Sequence, residues 1–359
     1  MDSEFIRLVT TVSTPNAPMH SAKAFISWPQ HALLVLIVCG PHVPSLFGQR
    51  TLPIDSAHFR GVLHDNVSNQ QRQGSGLSPL QLKSFPGKSL YRDDAVGMNF
   101  EHIFNGTKAQ HAISMFTPRQ DRCRIKQLGK QRFELHWPSK DSQWHLDARM
   151  IYDFSAKDQI DLTFQCTPTS DLYPQKFAAM MWASYMHTAH DRRIHFWGTD
   201  GKRRGWMTFG DGTGKDIEVG TVAHAKVPNL PYEEGAQTLN LIEHPHKKFI
   251  TPFYYGLLDG DHNLNTKDDR LIYLVLFDQT SPIRFAMWNF FKDEEGLPDT
   301  HSPAWDWQYV ITHPEIGRTY GYRARIVVKP FQGSKQVWAE YRRWMQDLQV
   351  DLPQPPATQ

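Results

Sequence analysis

From Tyr91 to Pro330 apolar residues come in short runs or in alternation, and almost never at helical spacing. "GMNFEHIFNG", "HLDARMIYDF", "QIDLTFQCTP", "AAMMWASYMHT", "TPFYYGLLDG", "RLIYLVLFDQ" and "IRFAMWNFF" are examples, punctuated by Gly, Pro, Asn and Asp. Runs of about five to nine residues at this spacing predict strands of an all-β sandwich or barrel. One segment differs. In "GSKQVWAEYRRWMQDL", Val337, Tyr341, Trp344, Met345 and Leu348 recur at helical intervals. This predicts an amphipathic helix over 334–348, with Ser334 as its N-cap and its apolar stripe against a sheet. No internal linker interrupts 91–350, so the expectation is a single domain: one large, curved antiparallel β-sandwich whose concave face can hold a ligand. Residues 49–90, rich in Ser, Gln and Gly, read as a flexible lead-in or an irregular first layer, and 351–359 as a disordered tail.

The first 48 residues read as an address. "ALLVLIVC" at 32–39 is too short to span a bilayer, follows Lys23 and precedes "GPHVPSLFGQR". That is the layout of a signal peptide, with Met19 a sensible start and cleavage after Ser45 or Gly48. Cys39 resembles a lipoprotein box, but Val38 stands where a small residue is expected. Export to the periplasm or beyond is the expectation, and a lipid anchor or an uncleaved segment are the alternatives. The mature chain would not insert in a membrane. Export would leave Cys123 and Cys166, as one disulfide or as two separate buried thiols.

Composition narrows the partners. The 39 Lys and Arg nearly balance 37 Asp and Glu, a formal net charge of +2. Nucleic acid wants a clustered basic face, and the short runs Arg192–Arg193, Lys202–Arg204 and Lys247–Lys248 read as solvated turns. Eleven Trp are the one excess. They build cores and also line sites that need a rigid amphipathic platform. No Cys/His spacing suggests zinc, and no cofactor motif appears. "DGDHNLNTKDDR" at 259–270 mimics a calcium loop but lacks its Gly and its final Glu, so a hairpin loop is expected.

Alternation selects the candidate chemistry. In "AWDWQYVI", Trp305, Trp307, Tyr309 and Ile311 share a face opposite Asp306 and Gln308. In "YGYRARIVV", Arg323 and Arg325 share a face opposite Tyr320 and Tyr322. If these strands pair as a hairpin, one face holds Asp306, Gln308, Arg323 and Arg325, as a solvated surface or the floor of a cleft. Two guanidiniums aimed together suit a carboxylate or sulfate. In "MMWASYMHTAHD", Tyr185 and His187 share a face and could move protons. In "GMNFEHIFNG", Glu101 sits with Asn99 opposite Phe100, His102 and Phe104, and a glutamate in an apolar strand is costly unless it is paired or solvated.

The segments "FAAMMWASYMHTAHDRRIHFWG", "TPFYYGLL", "IRFAMWNFF", "GMNFEHIFNG" and "SPAWDWQYVITHPEIGRTYGYRARIVVKPF" resemble a family of exported bacterial proteins frequent in planctomycetes and other polysaccharide degraders. The layout is also similar to the galactose mutarotase-like β-supersandwich, a fold that hosts sugar epimerases, polysaccharide lyases and non-catalytic parts of glycosidases. The mutarotase pattern of catalytic His and Glu is not matched here, so the resemblance assigns no residue. The resemblance implies an exported carbohydrate-active protein, and the two guanidiniums add the expectation that it binds an acidic oligo- or polysaccharide. For an enzyme, epimerisation or β-elimination of a uronate fits best. Tyr185 and His187 would then move protons, and Glu101 or Asp306 would act as base or orient the sugar. Arg323 and Arg325 would bind the carboxylate, with Gln308 beside them, and Trp305 or Trp288 would stack on a ring. The alternatives are a glycoside hydrolase using Glu101 and Asp306, or a non-catalytic sugar-binding or envelope protein.

Overall fold

A computed structural model describes residues 51–349, except 67–73, 88, 109–112, 214–215, 228, 237–242, 261–269, 293–295, 297–298 and 300. The expected signal region, the calcium-like loop between Asp259 and Arg270 and the tail lie outside the described residues. The strands are β1 (Thr51–Asp55), β2 (Phe59–His64), β3 (Gly76–Leu82), β4 (Asn99–Phe104), β5 (Arg124–Gly129) and β6 (Arg132–Trp137). Then follow β7 (Leu146–Asp153), β8 (Gln159–Pro168), β9 (Phe177–Ala183), β10 (Ile194–Thr199), β11 (Arg204–Phe209) and β12 (Gly220–Ala223). The last are β13 (Lys248–Asp259), β14 (Arg270–Phe277), β15 (Ile283–Trp288), β16 (Ala304–Thr312) and β17 (Tyr320–Pro330). A single turn, α1 (Thr117–Gln120), a 3-10 turn at Ser139–Asp141 and the terminal helix α2 (Ser334–Asp347) complete the described elements.

The chain forms the expected all-β sandwich with one C-terminal amphipathic helix. A nine-stranded sheet, β11-β10-β13-β14-β17-β8-β7-β6-β5, faces a five-stranded sheet, β12-β15-β16-β9-β4. The core between them is aromatic. Phe164 of β8 meets Trp182 of β9 at 4.6 Å edge-on, and Phe249 of β13 stacks on Phe285 of β15 at 4.2 Å. Residues 51–82 are not an irregular lead-in: β1, β2 and β3 make a third small sheet, and Phe59, Leu63, Leu77 and Leu80 are fully buried. Their alternating apolar positions outweigh the polar residues between β2 and β3.

The opening hairpin expectation fails. β16 pairs with β15 and β9, whereas β17 pairs with β14 and β8, so the two strands belong to different sheets. The aromatic stripes are as alternation predicts, but they meet across the core, and Trp307 Nε1 donates to the Tyr322 hydroxyl at 2.7 Å. Pairing as a hairpin would have laid both stripes side by side on one sheet. Opposing them buries both faces in one contact.

Helix α2 covers the outer face of the nine-stranded sheet. Val337, Tyr341, Trp344 and Met345 pack on Phe253, Ile272, Leu274 and Val327. Ser334 is not the N-cap. Gly333, at φ 95°, holds that position without a side-chain cap, because the chain leaves β17 in a conformation that glycine tolerates. Cys123 and Cys166 are separate buried thiols, each pushed up in pKa by burial. Among the described residues no helix is long and apolar enough to cross a membrane.

Candidate functional site on the outer face of the smaller sheet

The outer face of the five-stranded sheet differs from the apolar face under α2. Asn99, Glu101 and His102 of β4, Thr221 of β12, Arg284 of β15, and Asp306 and Gln308 of β16 are buried polar residues. Their arrangement begins with a bulge in β4. Phe100 stacks on Trp182 at 4.9 Å inside the core, and pairing then slips between Phe100 and His102. The extra residue is Glu101. It therefore shares the outer face with His102, where simple alternation had set the two on opposite faces.

Glu101 is the hub of a buried cluster. The Tyr185 hydroxyl lies 3.0 and 2.9 Å from its two oxygens. Arg119 Nη1 donates to Oε1 at 2.8 Å, Asn99 Nδ2 donates to Oε2 at 3.3 Å, and His102 Nε2 lies 3.8 Å away. These contacts compensate the desolvation of a buried carboxylate. Tyr185 shares its apolar surroundings with Met181 and Ala183, as alternation requires. Sequence reasoning missed Arg119, which α1 brings from 18 residues along the chain.

A row of side chains crosses the same face. Arg284 of β15 pairs with Gln308 of β16, Gln308 with Met181 of β9, and Met181 with His102 of β4. At about 4.8 Å between strands, Arg284 and His102 are about 14 Å apart along this row. Arg284 also borders a cavity of about 670 Å³ at the end of the face where β9 starts and β16 ends. Phe177 and Val310 give its apolar floor, and Gln175, Asn229, Ser281 and Thr312 bring amides and hydroxyls. Lys176, Lys226 and His313 also border it.

The cavity wall is fixed by the chain beyond β4. Glu233 accepts from the Lys108 backbone at 2.9 Å and from Gln175 Nε2 at 3.3 Å, and its own N–H donates to the Gly106 carbonyl at 2.8 Å. Gly106 has φ 76°, and a Cβ there would stand 2.8 Å from the Pro231 carbonyl oxygen. Lys176 and His313 are left-handed at φ 59° and 53°, joined by a His313 N–H bond to the Lys176 carbonyl at 2.7 Å. Arg284 is 2 % exposed, and its Nη1 and Nη2 are buried without a hydrogen-bond partner. Burial lowers its pKa, against the opposing pull of Glu243.

The remaining expected site residues are scattered. Arg325 is buried, with Nε and Nη2 on Asp161 at 2.6 and 2.9 Å, Nη1 on Asp347 at 2.6 Å, and its guanidinium over Trp344 at 4.6 Å. It fastens α2 to the large sheet. Arg323 shares that face but is half-exposed and paired with Asp278 at 3.2 Å. Neither stands with Asp306, which lies in the other sheet and accepts from the Ser184 N–H at 2.8 Å. The expected acidic-sugar grip of Arg323 and Arg325 is therefore absent, because carboxylates of the protein already hold both. Trp305 is no stacking platform: it is in the core, and its Nε1 donates to the Arg192 carbonyl at 2.9 Å. Trp288 is buried on the outer face and stacks on the half-exposed Phe290 at 5.7 Å. Strand β9 ends before His187, which borders a different cavity of about 20 Å³ beside Asp259. The structure thus unites Tyr185 with Glu101, and Gln308 with Arg284, but not Tyr185 with His187.

No family model matches the chain, and no curated protein matches its sequence. Solved structures do. A galactose mutarotase related enzyme of Lactobacillus acidophilus is 9% identical over 78% of this chain and 97% of its own, with a TM-score of 0.43. A galactose mutarotase-like protein of Lactobacillus casei is 8% identical over 78% and 100%, with a TM-score of 0.42. A protein of Synechocystis sp. PCC 6803 is 10% identical over 78% and 96%, with a TM-score of 0.45. No residue of this chain takes a role from them.

Proposed function

We propose that the protein is carbohydrate-active and takes an acidic sugar in the cavity on the outer face of the five-stranded sheet. The observation that carries this reading is the make-up of the cavity. Its volume of about 670 Å³ falls in the range of small-molecule sites. Amides and hydroxyls stand around an apolar floor, the pattern that reads a ring with many hydroxyls. Lys176, Lys226 and Arg284 give it one sign of charge. The test is calorimetry of the full chain against uronate-containing, sulfated and neutral oligosaccharides. Binding of an acidic member is expected, and no binding across the panel refutes the reading.

A second reading, proton transfer on an acidic sugar at a separate place on this face, rests on the Tyr185 hydroxyl held by Glu101 beside Arg119, none of which lines the cavity. It is epimerisation or β-elimination, begun by removing the proton next to the carboxylate. In D₂O the enzyme would exchange that proton of a bound uronate for deuterium, and Tyr185→Phe would abolish the exchange. Absence of both exchange and unsaturated product leaves a sugar-binding protein. Export belongs to the same proposal, motivated by the apolar run at 32–39. Mass spectrometry of protein from the native host would show loss of the first 45–48 residues, and an intact N-terminus in the cytoplasmic fraction would refute it.

A further inference from the structure

A buried guanidinium needs partners, and two buried arginines of this chain show the contrast. Arg325 meets Asp161 and Asp347 through all three of its nitrogens. Arg284 is as well buried, yet neither terminal nitrogen has a hydrogen-bond partner in the protein. The carboxylate whose charge reaches it, Glu243, is already in an ion pair with Lys248. Among the described residues that border the cavity there is no Asp or Glu, while Lys176 and Lys226 add positive charge. The protein thus sets a desolvated guanidinium beside a roomy cavity and leaves its terminal nitrogens without hydrogen-bond partners, a costly arrangement if nothing binds there. Two left-handed non-glycine residues, Lys176 and His313, border the same cavity, and such strain clusters at ligand sites.

We infer that Arg284 is the anion receptor of this cavity, holding the carboxylate, sulfate or phosphate group of a hydroxylated ligand. This rests on the sugar reading above and gives the ligand its charge. The planar fork of Arg284 offers parallel N–H groups to two oxygens of one anion, a geometry that lysine lacks.

Calorimetry on the full chain tests it with glucuronate, glucose, glucose 6-phosphate, glucose 6-sulfate and inorganic sulfate as probes. An anionic sugar should bind at least about tenfold more tightly than glucose, the scale of one charge-assisted hydrogen bond. Arg284→Gln should remove that preference, and Arg284→Lys should restore only part of it. The preferred sugar identifies the anion. Equal binding of glucose and every anionic sugar by the wild type overturns the inference and leaves the sugar reading standing. A preference that survives Arg284→Gln also overturns it. If inorganic sulfate binds in an Arg284-dependent way and no sugar improves on it, the anion site stands and the sugar reading falls. Should Arg284→Gln fail to fold, the wild-type comparison decides alone.

Discussion

Replacing Arg325 by Met removes its charge and keeps most of its apolar stem over Trp344. The side chain is 7% exposed, and it makes two ion pairs, with Asp161 and Asp347. A hydrogen bond to a charged group contributes about 1.5–3 kcal/mol, so two pairs set a ceiling of about 3–6 kcal/mol. Asp161 and Asp347 are 37% and 48% exposed and regain water once the guanidinium is gone, which reduces the loss to about 2–3 kcal/mol. Arg323→Met, at a half-exposed residue with one partner, should cost below about 0.5 kcal/mol. Urea unfolding of both variants measures the difference, and a double-mutant cycle with Asp347→Asn isolates the tie between β17 and α2. Affinity for an acidic glycan should be unchanged in both. The reasoning is refuted if Arg323→Met destabilises as much as Arg325→Met, or if Arg325→Met weakens glycan binding without loss of stability.

Between pH 4 and 6 two buried groups should act in opposite directions. Burial raises the folded-state pKa of Asp121 to about 6, so the folded chain binds more protons there and its stability falls as pH rises. Burial lowers that of His195 to about 4, so the unfolded chain binds more protons and stability rises with pH. Asp121→Asn should therefore leave a stability that climbs from pH 4 to pH 6.5 in a pH series of urea midpoints, and an unchanged slope would contradict it. Gly106→Ala forces a side chain into a left-handed position against the Pro231 carbonyl. It should cost about 1–2 kcal/mol and loosen the cavity wall, weakening glycan affinity, and undiminished affinity would detach that wall from the site.

Alternation told which residues face the core within a strand, and it did so for Trp305, Trp307, Tyr309 and Ile311. It could not tell which strand lies beside which, since a period of two describes a face and not a neighbour. That is why β16 and β17 were expected as a hairpin and Arg323 and Arg325 beside Asp306. The bulge at Glu101 was equally hidden: it turns Ile103 rather than Phe104 into the core, and since both are apolar the sequence does not show the shift. Arg284 was missed, although the signal was there: an arginine inside "IRFAMW" breaks an apolar strand just as Glu101 breaks "NFEHIF". Lys176, His313 and Asn229 left no such signal, since turns far apart in sequence bring them together and no local pattern records that.

The two outer faces of the sandwich show why the smaller sheet is the place to look for function. A face that must only be covered is best made apolar, and the nine-stranded sheet does this under α2 with Phe253, Ile272, Leu274 and Val327. Arg325, buried there, is neutralised by two carboxylates and contributes to docking the helix. The five-stranded sheet is also covered, yet its outer face carries Glu101, His102, Arg284, Asp306 and Gln308, each of which must be compensated once water is excluded. Folding alone gives no reason to prefer these over valine or leucine, because a well-packed apolar residue at a buried charged position is commonly neutral or stabilising. Glu101 has its compensation in Tyr185 and Arg119, whereas no hydrogen bond from the protein reaches the Arg284 terminal nitrogens. In the empty protein, then, Arg284→Met should raise stability, where Arg325→Met lowers it, and an acidic ligand should reverse the order for position 284. A drop in the stability of ligand-free Arg284→Met would place Arg284 among the structural arginines and end the case for an anion at this face.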